Sequence, residues 1–250
     1  MEFQFKTILV PVDFSVNTTV AIDKAIWLSE GSDSSIHLFY VQRRSWPLFP
    51  GNGKRQEDEQ ALMNKLEDLK KAINEKRPDI AVTTWLGWDK NPERAIARKA
   101  NLLKASLIII GKHSRHTWFP IFNTVVPSRL AEITQIPVLT VKPGAMESST
   151  KTVVVPVGTE IDARKIAIME ALCRKSRIHI HLVAFPESGS KSVDNQAGSF
   201  LNTFDWMKRN AGNGHCINPV DGRRGMVDAV PTLPAHAYCV AGSAFGGLSA

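Results

Sequence analysis

Short unbroken apolar runs alternate with stretches of helical periodicity through the first half of the chain. Thr7 to Asp13 is apolar until it ends in an acid. A run without polar alternation fits a strand covered on both faces, as in a parallel sheet. Thr18 to Leu28 follows as a helix, with Ala21, Ala25 and Leu28 on one stripe. Ser34 to Val41 is a second strand, and Arg43 to Gly53 a loop holding Trp46-Pro47-Leu48-Phe49-Pro50. Glu57 to Lys76 reads as a helix, because Leu62, Leu66, Leu69 and Ile73 fall at helical spacing. Ile80 to Leu86 is a third strand. Asn91-Pro92-Glu93 starts a helix, with Asn as cap and Pro at the first position, and Ile96, Ala100 and Leu103 continue it. Leu107 to Ile110 is a fourth strand. Gly111 to Asn123 connects it to a short helix, Thr124 to Thr134, with Val126, Leu130 and Ile133 on one face. Ile136 to Val141 returns as the last strand. Strands and helices alternate throughout, which predicts a doubly wound parallel sheet with helices on both faces.

The pattern then begins again. Pro143 to Thr150 is small and polar and reads as a linker. Thr152 to Gly158 repeats Thr7 to Asp13 nearly position for position. Asp162 to Cys173 repeats the first helix, and Arg177 to Val183 the second strand. Phe200 to Arg209 is a further helix. Ile217 to Val220 and Tyr238 to Val240 are further strands, and Gly225 to Val230 is a helix cut by Pro231 and Pro234. Gly242 to Gly247 echoes the turn at Gly111, without the helix and strand that follow it in the first copy. The expectation is an α/β protein of two doubly wound parallel-sheet domains. Residues 1–143 form the first, 144–150 the linker, and 151–250 a second, shortened copy.

Composition adds exclusions. The formal charge of +7 is spread along the chain, with Lys70-Lys71 and Arg98-Lys99 on helices that also carry acids. That is a solvated helix face and not a nucleic-acid footprint. No apolar run approaches the length of a membrane span, and the N-terminus runs straight into a strand, so a cytoplasmic, membrane-free protein is expected. Cys173, Cys216 and Cys239 are odd in number and widely spaced, which implies neither a disulfide framework nor a zinc site.

Candidate chemistry is sparse. His113-x-x-His116 lacks a third ligand nearby in sequence, and His179 and His181 share a strand face, so solvated or structural histidines are expected and no metal. Cys216 follows His215 directly, but adjacent strand residues point to opposite faces. Glu57-Asp58-Glu59 is read as acids opening a helix, where the dipole favours them. No nucleophile elbow, GxxxxGK[ST] loop or GxGxxG loop occurs. No enzyme activity is expected. The Trp46–Pro50 and Trp118–Phe122 loops both follow strand ends on the side where open α/β sheets bind ligands; packing against each other is their expected role, and an apolar cleft or partner surface is the alternative.

TILVPVDFS at the start, Gly111 ending a strand, and QIPVLTVKP closing the unit resemble the universal stress protein family, and the doubled layout is similar to its tandem members. The resemblance implies a five-stranded parallel sheet with helices on both faces and, in nucleotide-binding members, ATP at the strand ends. Those members use an acid closing the first strand and a turn written G-x-x-G-x9-G-[ST] after the fourth. Glycines let the backbone approach phosphates, and the next helix offers free N–H groups. Here Asp13 matches the acid and Gly111 the first glycine. Ser114 and Thr124 stand at the other two glycines, and Val125 replaces the hydroxyl. In the second copy Gly158 replaces the acid. The residues that the resemblance carries over to a nucleotide site are Pro11, Val12, Asp13, Val41, Gly111, Lys112, Ser114 and Thr124. With the turn so altered, the expected protein is a non-catalytic stress-response scaffold or interaction protein with a degenerate site and no cofactor. The alternative is a sensor that binds ATP or AMP in the first domain. The resemblance also implies a dimer contact through the last strand, so Val138 to Val141 is the expected edge for a homo-oligomer, beside an unknown protein partner.

Overall fold

A computed structural model describes residues 4–43, 52–111 and 125–141. In the second half it describes 152–157, 168–169, 171–172, 179–184, 216–221 and 237–241. The chain divides into two compact units, whose main segments are Gln4–Pro143 and Gly144–Gly242.

In the first unit β1 (Thr7–Val12), β2 (Ser35–Arg43), β3 (Ala81–Asp89), β4 (Leu107–Gly111) and β5 (Val138–Val141) are joined by α1 (Val16–Ser29), α2 (Asn52–Lys76), α3 (Pro92–Leu102) and α4 (Pro127–Thr134). Every pairing is parallel, and the strand order is β3-β2-β1-β4-β5. Ile8, Leu9, Val10 and Val12 of β1 are buried on both faces, as are Leu107 to Ile110 of β4. That is why neither strand shows polar alternation. Helices α1 and α2 cover one face. On the other, α3 and α4 enclose a core of Leu9, Phe39, Val41, Ile96, Ala100, Ile108, Ile110, Leu130 and Val138. Sheet and helix faces agree with the predicted class.

Four local expectations change. Helix α2 begins at Asn52, not Glu57, so Glu57-Asp58-Glu59 lie beyond its first turn, which holds no acid. Strand β3 runs on to Asp89, because Gly87, Trp88 and Asp89 continue the register with Val41, Gln42 and Arg43. Helix α4 begins at Pro127, not Thr124: Val126 has extended backbone angles (φ −95°, ψ 110°), as the residue before a proline prefers. The buried face of α4 is Leu130, Ala131 and Thr134, whereas Val126 and Ile133 are 48% and 53% exposed.

In the second unit, β6 (Thr152–Val157), β7 (His179–Ala184), β8 (Cys216–Asp221) and β9 (Ala237–Ala241) also pair in parallel, in the order β8-β7-β6-β9. This repeats β3-β2-β1-β4 of the first unit. Thr152 pairs with His179 as Thr7 pairs with Ser35. Ile168, Met169, Ala171 and Leu172 are helical and buried, within the stretch predicted to repeat α1. The helices predicted over 200–209 and 225–230 lie outside the described residues.

Candidate functional site

In a doubly wound sheet, ligands enter at the carboxyl ends of the strands where the winding direction reverses. Here that point lies between β1 and β4. Strand β1 keeps register with β2 as far as Val12↔Tyr40, but with β4 only over Ile8↔Leu107 and Leu9↔Ile108. Pro11, which has no N–H to give to a ladder, sits past that point. The sheet therefore parts between the end of β1 and the end of β4.

Asp13 follows β1 directly and organises the turn into α1. Its Oδ1 accepts hydrogen bonds from the Ser15 N–H (3.0 Å), the Ser15 hydroxyl (2.5 Å) and the Thr18 hydroxyl (2.6 Å). The Asp13 N–H in turn donates to Thr18 Oγ1 (3.0 Å). This is an Asx-type turn, and it places a carboxylate at the positive end of α1. Phe14 pays for the turn with φ 59°, a left-handed conformation that is costly for a bulky residue. Its ring stacks on Tyr40 (centroids 4.9 Å, interplanar angle 29°), and Lys65 Nζ lies 5.7 Å from it. Burial, and secondarily the charge of Asp13, push the Tyr40 hydroxyl above its ordinary pKa. Tyr40 donates to Gln42 Oε1 at 3.0 Å.

Gly111 ends β4 against the first turn of α1. A Cβ placed there would lie 2.2 Å from the Asn17 carbonyl oxygen and 2.6 Å from its carbon. Helix–strand approach alone therefore requires a glycine at this position. Val41, two residues before the end of β2, is fully buried in the core under α3 and α4, so only its backbone can face a ligand. Val12 is likewise buried. Of the eight residues carried over by resemblance, Pro11, Val12, Asp13, Val41 and Gly111 gather at this end of the sheet. Lys112, Ser114 and Thr124 lie outside the described residues, as do His113, His116 and both aromatic loops.

Val125 occupies the position of the hydroxyl that ends the family turn. It is 7% exposed and belongs to the core with Ile110 and Leu130. After it, the N-terminus of α4 meets a partner that sequence reasoning passed over. Glu93, in the first turn of α3, is 5% exposed. Its Oε2 accepts the Val126 N–H at 3.1 Å, and Arg129 Nε lies 3.2 Å from Oε1. An acid after an Asn-Pro helix start is ordinary, so no local signal marked it. Asn17, Phe14 and Tyr40 were missed for the same reason, because their roles depend on contacts distant in sequence. Among the described residues no cluster of His, Cys, Asp and Glu could hold a metal ion. None of the described helices is long and apolar enough to cross a membrane.

The strand order, the acid closing β1 and the glycine closing β4 define a doubly wound α/β domain with its crevice between β1 and β4. Residues 4–142, more than half of the chain, match the universal stress protein family, and the chain belongs to it. Solved structures agree on the fold. A universal stress protein from Archaeoglobus fulgidus is 15% identical with a TM-score of 0.64, covering 88% of this chain and 78% of its own. A functionally unknown protein from Pseudomonas aeruginosa PAO1 is 15% identical with a TM-score of 0.60, covering 91% and 77%. A putative universal stress protein from Pseudomonas aeruginosa UCBPP-PA14 is 14% identical with a TM-score of 0.56, covering 91% and 78%. No curated protein matches the chain.

Proposed function

We propose that this member of the family is a non-catalytic stress-response scaffold, a protein that works by binding another protein through a fold whose nucleotide site has been converted to structure. The observation that carries this reading is Val125. The position that would present a hydroxyl to a phosphate instead points a branched apolar side chain into the core, where its burial contributes about 1.5–3 kcal/mol. Asp13 and Gly111, the two motif residues retained, support the same reading. Each has a full structural reason: Asp13 binds Ser15 and Thr18, and Gly111 makes room for Asn17. The second unit, with its matching strand order, is on this reading an eroded second copy, and its Gly158 removes the acid outright.

Thermal unfolding with ATP and with AMP tests it. A ligand present at a hundred times its Kd stabilises a protein by about 2.7 kcal/mol. Millimolar ATP and AMP are expected to leave the melting temperature where an equal ionic strength of sodium chloride leaves it. A nucleotide-dependent rise that Asp13→Ala abolishes would replace the scaffold with a nucleotide sensor.

A further inference from the structure

We propose that Glu93 is the resident anion of the α4 N-terminus: a carboxylate supplied by α3 that fills the seat a ligand's phosphate would need there. On this view the first unit accepts only ligands that bring no phosphate to that helix end. The inference rests on the scaffold reading and explains how the phosphate seat was closed.

The argument begins with what α4 lacks. The first backbone N–H groups of a helix have no partner within the helix, and they create a partial positive charge that attracts anions. Val126, at the cap position, has no side-chain acceptor, and Pro127 at the first helical position has no N–H. The usual remedy is a capping box, in which a Glu within the same helix reaches back to the N–H of the cap residue. Position three of α4 is Arg129, which cannot do so. Glu93 makes that contact from another helix, 33 residues away in sequence, with Oε2 on the Val126 N–H. Its second oxygen pairs with Arg129. The two carboxylate oxygens thus meet a backbone N–H and a guanidinium, the donors that a phosphate edge would seek. A carboxylate this buried is tolerated only when it is paired, and removal of its side chain leaves donors that an external anion can satisfy. At α1 a carboxylate likewise accepts the N–H of the cap residue, Asp13 Oδ1 from Ser15 at 3.0 Å, although there the acid is local in sequence.

The test uses the full chain as wild type, Glu93→Gln and Glu93→Ala, melted at pH 7 in sodium chloride, sodium formate and sodium phosphate of matched ionic strength. Glu93→Gln keeps the shape and loses the charge, and it should melt below wild type; equal melting temperatures would overturn the proposal. Glu93→Ala opens the seat. Formate and phosphate should each raise its melting temperature by about 3 °C or more over chloride, with no such rise in wild type or Glu93→Gln. Folding of Glu93→Ala only in formate or phosphate counts as the same rescue. Failure to fold in all three salts, or identical melting in all three, contradicts the resident anion. Rescue by formate and not by phosphate contradicts the phosphate part. Nucleotide binding by the wild type would defeat the scaffold reading, whereas these outcomes are read on the variants in simple salts, so the two failures remain distinct.

Discussion

Replacing Gly111 with alanine separates a glycine kept for packing from one kept for a ligand. The added Cβ would lie 2.2, 2.6 and 2.9 Å from the O, C and Cβ of Asn17, where ordinary contacts begin at 3.4 Å. The first two atoms are backbone and cannot rotate aside, so α1 or β4 must move by roughly 1 Å, a small-to-large clash in a tightly packed interior. The movement is resisted by Ala21, Ala25 and Leu28, which seat α1 on the sheet at 0%, 0% and 1% exposure. Overpacking of this kind costs typically 1–3 kcal/mol, and a clash with backbone belongs near about 3. For a domain of this size that is a melting-temperature loss of about 10 °C. Gly111 does not have a left-handed φ, so the loss is steric and carries no conformational penalty. Differential scanning calorimetry of the ligand-free chain measures it directly. Asn17→Gly added to Gly111→Ala removes only the 2.9 Å contact, so it should restore little. A Gly111→Ala protein melting within about 1 °C of wild type would refute the packing argument and return the residue to a ligand role.

Two further outcomes follow from the same turn and helix. Phe14 holds a left-handed φ of 59° while stacking on Tyr40; Phe14→Ala loses the ring contact and keeps the strain, for a loss of about 1 kcal/mol. Phe14→Gly should then be more stable than Phe14→Ala by about 0.5–1 kcal/mol in urea unfolding, because relief of strain exceeds the extra chain entropy of glycine; the reverse order would contradict the strain. Lys24 is buried on α1, 4.6 Å above the Trp27 ring, and burial lowers its pKa from 10.5 to about 8. Between about pH 8 and 10.5 the unfolded chain then holds the Lys24 proton more than the folded one, so folding stability rises with pH across that window. Wild type should gain on Lys24→Met as pH rises from 8 to 10.5, and a flat or falling difference would contradict the buried charge.

The fold was legible because its strands are apolar on both faces and its helices are periodic on one. Val10 and Ile109 announce themselves by composition, and Leu66 and Ile73 by spacing. The start of α4 was also written in the chain, since Pro127 marks a first helical position and pushes Val126 into extended backbone, but counting Val126 on the apolar face with Leu130 and Ile133 drew the predicted start to Thr124. Its buried face was misread because Thr134 bonds back to the Leu130 carbonyl at 2.7 Å, which lets a polar residue sit inside while Ile133 faces out. The identity of Asp13 and Gly111 was visible in the sequence, but what they touch was not. A carboxylate reads the same whether it awaits a ribose or binds Ser15 and Thr18, and a glycine reads the same beside a phosphate or beside the Asn17 carbonyl. Glu93 was beyond reach, because its partners come from the next helix but nothing in their spacing pairs them.

The central claim is that the carboxyl end of the first sheet is filled by the protein's own groups. Isothermal titration calorimetry of the full wild-type chain with ATP and magnesium, up to millimolar nucleotide, tests it most directly. The account predicts no binding heat beyond dilution. A saturable isotherm of one nucleotide per chain, lost in Asp13→Ala, would contradict it.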